Sequence, residues 1–332
     1  MKPVAPKMVR NRPIMPNRRL TTASPPLRTR RKPITNWETF KRATLSDGVR
    51  LRQYLIDARK GSVSLSRTVR NELEPRAAIY LHANNRLARL GFAEVMTRHV
   101  QSLAPTHDVS FYWITLISER YVLPESEAAN FDQRSLQAWV QQVLHGIDFI
   151  GSLELAYYTN LKRGSGRGSV SWHFHGTGWS KTSDLVGKRI DEINASTRTI
   201  FPGVVPALAA EIPRRKLTAK LLYALKAPRS AYRVYAFKED SFDSETGELE
   251  KRPTGFFKQK KGALRPGELA RVCTFLEGRY LDQLAIAGGE GKSILRKVRE
   301  ESLRPFKREE ERLISGGRMG SERYFTGKTR CR

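Results

Sequence analysis

Only two cysteines stand in this chain of 332 residues, Cys273 and Cys331, far apart and in no CxxC pair. That spacing excludes a disulfide framework and makes a reducing cytoplasm the expected compartment. Long apolar runs are missing as well. No stretch reaches the roughly 20 residues a membrane helix needs, so no membrane partner is expected. The basic N-terminus has no apolar core behind it, which argues against a secretory signal. Acids are scarce: 33 Asp and Glu face 60 Lys and Arg, a formal net charge of +27. Such a surplus attracts polyanions through counterion release, and nucleic acid is the expected partner. Composition alone fits a ribosomal or histone-like binder as well as an enzyme.

Charge and proline mark off the ends. Residues 1–35 hold ten Lys or Arg, seven Pro and no acid. Proline blocks helix and sheet ladders, and like charges repel, so the segment is expected to be a disordered basic arm. From 36 to about 105 the pattern is helical, with Ile79, Leu87, Leu90, Phe92, Val95 and Met96 on a helical repeat. From 106 to 240 strands and helices alternate. The stretch 108–118 (DVSFYWITLIS) reads as a buried strand, and 132–147 as an amphipathic helix. Residues 149–159 and 170–179 read as two strands joined by the Gly/Ser turn 163–169, an antiparallel hairpin. Helices over 183–194 and 213–225 and a strand over 231–238 follow. This order predicts an α+β domain with helices on one face of an antiparallel sheet. Residues 241–332 read as a turn-rich segment and a basic loop, then an accessory helical region with a basic tail.

The residues that carry chemistry fall within 106–240. His173 and His175 sit at i and i+2 of a predicted strand, so both imidazoles face one side. Taken alone, that pair also fits packing. Glu154 adds weight: it lies among apolar neighbours in the partner strand, where a carboxylate is costly without a cation or donor. Two imidazoles and a carboxylate suit a divalent metal, Mg²⁺ or Mn²⁺, acting as a Lewis acid. On the helix starting near Pro213, helical spacing places Lys220, Tyr223 and Lys226 along one side. Flanking ammonium groups would favour phenolate and hold a phosphate, making Tyr223 a candidate nucleophile. An amphipathic Tyr at a helix rim is the bland alternative. The run Gly288–Ser293 (GGEGKS) is not taken as a P-loop, because Ile286 stands where its first glycine belongs and the preceding residues read as helix.

Taken together, these motifs resemble the HUH endonucleases of the replication-initiator type. The hydrophobic strand with an embedded threonine is matched by Phe111–Ile117 with Thr115. The His-hydrophobic-His strand is matched by His173-Phe174-His175 with Glu154 as acidic ligand, and the YxxK helix by Tyr223 and Lys226. The match covers roughly residues 108–240, with one motif tyrosine where some members have two. The resemblance implies a split β-α-β, HUH/RRM-like fold, a metal held by Glu154, His173 and His175, and DNA contacts from Thr115 and Lys220. It also implies that Tyr223 nicks single-stranded DNA through a 5′-phosphotyrosine, with Lys226 orienting the phosphate. Single-stranded DNA and origin duplex DNA are the implied partners, with a host helicase and polymerase beyond them. Replication initiation is favoured over single-strand transposition and conjugative nicking. A non-catalytic nucleic-acid binder, with a sheet like that of RNA-recognition modules, is the competing class.

Overall fold

The computed structural model describes residues 33–57, 64–103, 109–161, 168–180, 183–200, 204–242 and 248–315. The expected basic arm, apart from residues 33–35, lies outside them, as do most of the hairpin turn and the basic tail. Three helices come first: α1 (Trp37–Asp57), α2 (Arg67–Leu73) and α3 (Arg86–Gln101). Asn85 starts α3 by accepting hydrogen bonds from the Leu87 and Ala88 amides, two donors that a helix start leaves unpaired. Strands β1 (Ser110–Leu116) and β2 (Val122–Pro124) follow, then α4 (Gln133–Val143). Asp132 caps α4, and Leu136 and Val140, one turn apart, are its buried face.

The predicted hairpin is β3 (Asp148–Tyr158) with β4 (Ser169–Ser180). Then come α5 (Ser183–Ser196), β5 (Ala207–Ile212), α6 (Leu217–Ala224), β6 (Ser230–Phe242) and β7 (Leu249–Ala263). The chain continues with α7 (Pro266–Phe275), the single turn α8 (Leu281–Leu284), β8 (Ala285–Gly288), α9 (Gly291–Ser302) and α10 (Arg304–Ser315). The strands form one sheet in the order β5-β1-β4-β3-β6-β7, with β2 added to β4 and β8 to β3. No described helix is long and apolar enough to cross a membrane.

The α+β class holds, with three corrections. The sheet is mixed rather than antiparallel, because β3 and β6 run parallel where Tyr157 and Tyr158 meet Ala231 and Tyr232. Chain covers both faces rather than one. Tyr223 of α6 packs on His175, whereas Phe131, just before α4, stacks on Trp172 of the opposite face at 4.4 Å between ring centroids. Finally, residues 241–332 are not purely helical. The expected basic loop is strand β7, paired to β6 from Ser230↔Ala263 to Phe242↔Leu249, and β8 adds an edge beside β3. This region is also tied to the N-terminal helices, through Arg50 to the Leu264 carbonyl (2.5 Å) and His99 to Glu301 (2.9 Å).

The GGEGKS run follows strand β8 rather than a helix, so its setting is strand, glycine turn, helix. The start of α9 is nonetheless already occupied by an acid: the Glu290 amide donates to Asp148 Oδ1 at 2.7 Å. A phosphate would meet that carboxylate, which agrees with setting the P-loop aside.

Two facing glycines shape the centre of the sheet. Gly151 and Gly176 are register partners. A Cβ at 176 would lie 2.4 Å from the Phe174 ring, and one at 151 would lie 2.3 Å from the His175 carbonyl. Their absence lets the fully buried Phe174 ring lie close to the sheet on the face away from the histidines.

Candidate metal centre

Strand register assembles the centre. Antiparallel partners share a face, and β3 pairs with β4 so that Glu154 opposes His173 and Ser152 opposes His175. On the other side β1 brings Thr115 opposite His175. Glu154, His173 and His175 therefore converge, and one ligand atom from each lies within 4.8 Å of the other two. His173 Nε2 stands 3.1 Å from His175 Nε2, and His175 Nε2 stands 3.6 Å from Glu154 Oε2. Glu154 and His173 are buried, and His175 nearly so.

The outward nitrogens decide what the inward ones can do. His173 Nδ1 lies 3.1 Å from the Ser171 carbonyl, an acceptor only, so Nδ1 carries the hydrogen and Nε2 presents a lone pair. His175 Nδ1 lies 2.9 Å from Thr115 Oγ1, a hydroxyl that can donate or accept. While the hydroxyl donates, His175 Nε2–H can bridge to His173 Nε2. Once it accepts, both Nε2 lone pairs and the carboxylate point into one space, which is a cation's donor set. Burial pushes the His173 imidazole below its ordinary value, against the pull of Glu154. His175 is driven well below by burial first, then by His173, Lys226, Lys261 and Lys220. Both rings stay neutral, the form that ligates. The trio could hold a metal ion.

Helix α6 delivers the other groups. A 3₁₀ turn (Arg214–Lys216) leads into it, so the helical start falls at Leu217 rather than 213. Leu221 and Leu222 are buried, and Tyr223 faces the trio, its ring 5.8 Å from His175 and 5.6 Å from Trp113. Trp113 in turn stacks on His175 at 5.1 Å, and Lys220 Nζ lies 5.1 Å over Trp113. The expectation that cations favour phenolate is not met. Burial, then the charge of Glu154, pushes the Tyr223 phenol up to about 12.

Lys226 does not lie along the helix with Lys220 and Tyr223, because α6 ends at Ala224. From beyond that end its buried ammonium donates to Glu154 Oε2 and sits 3.7 Å over the Tyr223 ring. A buried carboxylate needs a counter-charge, and here Lys226 supplies it. Thr115, expected to contact DNA, has its hydroxyl on His175.

Several participants escaped the sequence reading. Arg89 of α3 is buried and donates to the Leu225 carbonyl at the end of α6 (2.8 Å) and to the Ala83 carbonyl just before α3 (2.6 Å), a cation bridging the two segments. It fixes the helix end that carries Tyr223 and Lys226. Burial pushes its guanidinium down to about 10, with Glu154 opposing. In the sequence Trp113 stands out only as a strand residue and Lys261 only as part of the basic loop. The Lys261 ammonium lies 6.0 Å from the Tyr223 ring and 5.7 Å from the Tyr232 ring. No protein-family model, curated protein or solved structure matches this chain.

Proposed function

We propose that this protein is a metal-assisted DNA strand nicking and joining enzyme of the HUH kind, acting in rolling-circle replication initiation. The observation that carries the reading is the convergence of Glu154, His173 and His175 with the Tyr223 ring beside them. The run β1, β2, α4, β3, β4, with the histidines at the middle of the sheet, supports the HUH-like fold. The +27 charge supports a polyanionic substrate.

A mixed imidazole and carboxylate set suits Mn²⁺ or Mg²⁺, and such an ion supplies Lewis-acid polarisation of a phosphate oxygen. Tyr223 Oη attacks the phosphorus of single-stranded DNA. One P–O bond forms to the phenol oxygen as the bond to the 3′-oxygen breaks. The proton lost by the phenol balances the one gained by the 3′-hydroxyl, and the 5′-phosphate stays on Tyr223 as an ester. The ester conserves the broken linkage, so the reverse reaction rejoins the strand. Lys226 is bound to Glu154 here; once that carboxylate has another cation, the ammonium is free to meet a phosphate oxygen. Lys220, at the rim over Trp113, faces the approaching backbone.

The test is an SDS-resistant adduct between the protein and a labelled single-stranded oligonucleotide, with and without Mn²⁺. Wild-type protein is expected to form it only with the ion. Tyr223→Phe is expected to lose it while retaining DNA binding in a gel shift. Binding without any adduct in the wild type would leave a nucleic-acid-binding protein and end the nicking proposal.

A further inference from the structure

Beyond its first residues the β6–β7 hairpin leaves the sheet. β3 pairs with β6 only through Tyr157 and Tyr158. The Asn160 side chain extends that edge one step, accepting from the Val234 amide (2.9 Å) and donating to its carbonyl (2.7 Å). Past Val234 the described hairpin is a two-stranded ribbon with both faces largely in solvent.

Its two halves differ in charge. In the distal half the register opposes Glu239 to Arg252 and Asp240 to Lys251, unlike charges across the strands. In the proximal half no acid occurs over 230–237 or 254–263. There Arg233 is set directly opposite Lys260, and Tyr235 opposite Lys258. Opposed like charges destabilise a sheet pair. Arg233, Lys258 and Lys260 are exposed, Tyr235 is 45% exposed, and Lys258 Nζ lies 3.5 Å over the Phe237 ring. Arg233, Tyr235, Lys258 and Lys260 share one ribbon face. A polyanion would relieve the opposed cations, and the flanking aromatics offer apolar contact beside them.

We propose that this proximal ribbon face, Arg233, Tyr235, Lys258 and Lys260, is a docking arm for double-stranded DNA. The choice of DNA as polyanion rests on the nicking reading above. Duplex is favoured over single strand by shape: a projecting two-stranded ribbon fills a major groove, whereas single strands lie in basic grooves lined with stacking platforms. The ribbon's root lies at the metal centre, where Lys261 of β7 stands near Tyr223. A duplex gripped by the arm is thereby presented beside the site that takes an unpaired strand.

The experiment compares two triple substitutions of equal charge change in the full chain. Arg233→Gln/Lys258→Gln/Lys260→Gln removes the proximal cations, and Lys238→Gln/Lys251→Gln/Arg252→Gln removes distal ones. Binding of a short labelled duplex is followed by fluorescence anisotropy across a salt series. The proximal triple is expected to weaken binding about tenfold or more and to flatten the log–log salt slope by about 3. The distal triple is expected to do markedly less. Equal losses would reduce the effect to net charge and overturn the proposal. Equal weakening of single-stranded and duplex DNA by the proximal triple would overturn the duplex assignment. Lys260→Gln alone guards against misfolding: it is expected to leave the melting temperature unchanged or raised, and to lower the slope by about 1. Adduct formation on a short single-stranded oligonucleotide is expected to survive in both triples. Loss of duplex docking with the adduct intact separates this arm from the nicking chemistry, and a wild type that docks duplex without any adduct fails only the latter.

Discussion

The middle of the sheet and the β6–β7 ribbon both set cations beside aromatic rings, yet they resolve their charges in opposite ways. At the middle, the buried charges are matched inside the chain: Lys226 on Glu154, Arg89 on the end of α6. On the ribbon, Arg233 and Lys260 face each other in solvent, where the high dielectric makes the opposition tolerable. Burial forces a protein to neutralise its own charges and so builds a place where an ion can exchange with an ammonium. Exposure lets it keep an imbalance that a partner can satisfy.

Several measurements would break or sharpen that contrast. The largest effect is expected from Lys226→Met, which leaves Glu154 buried without its counter-charge. It should destabilise the ion-free protein by about 3–5 kcal/mol, whereas Lys258→Met on the ribbon should stay within about 0.5 kcal/mol. Urea unfolding measures both, and added Mn²⁺ should restore much of the first loss, since a ligand of the folded state stabilises it. Equal effects at the two lysines would erase the distinction between matched and unmatched charge. Next in size is Thr115→Val. Removing the hydroxyl that orients His175 should weaken Mn²⁺ binding about 10–100-fold, read by calorimetry, without altering duplex binding.

The smallest is a pH effect without metal. Both imidazoles are held below their ordinary value in the folded protein, so the unfolded chain takes up their protons first. Their contribution is therefore present above about pH 6.5 and declines as pH falls from there. For each ring the slope is no steeper than about 1.4 kcal/mol per pH unit. Comparing urea midpoints at neutral and mildly acidic pH in a chelator tests it; His173→Gln/His175→Gln should flatten that part of the curve.

What could be read in advance follows the same divide. β1, β3 and β4 are buried and rich in aromatic and β-branched residues, so their strand character and the His-Phe-His alternation stand out in the sequence. The hairpin places Glu154 on the strand beside the histidines, but its pairing with His173 rests on a register that the sequence leaves open. β7 looks like loop in the sequence because both faces of a free ribbon are solvated, leaving no alternation to see. β5 (ALAAEI) carries alanines that favour helix, and β8 has only four residues. The helical period, carried past Ala224, puts Lys226 on the wrong side, because α6 stops short of Pro228, which disfavours helix in the residue before it. Arg89 could not be seen at all. A basic residue on an amphipathic helix looks like a surface residue until another helix end is found resting on it.

The two imidazoles lean on supports of different kinds. His173 is steadied by the Ser171 carbonyl, part of the main chain, which no substitution can delete. His175 depends on a side chain from a separate strand, Thr115. Sequence drift or design can therefore retune one half of the centre through a single position, while the other half keeps its aim in any variant that still folds.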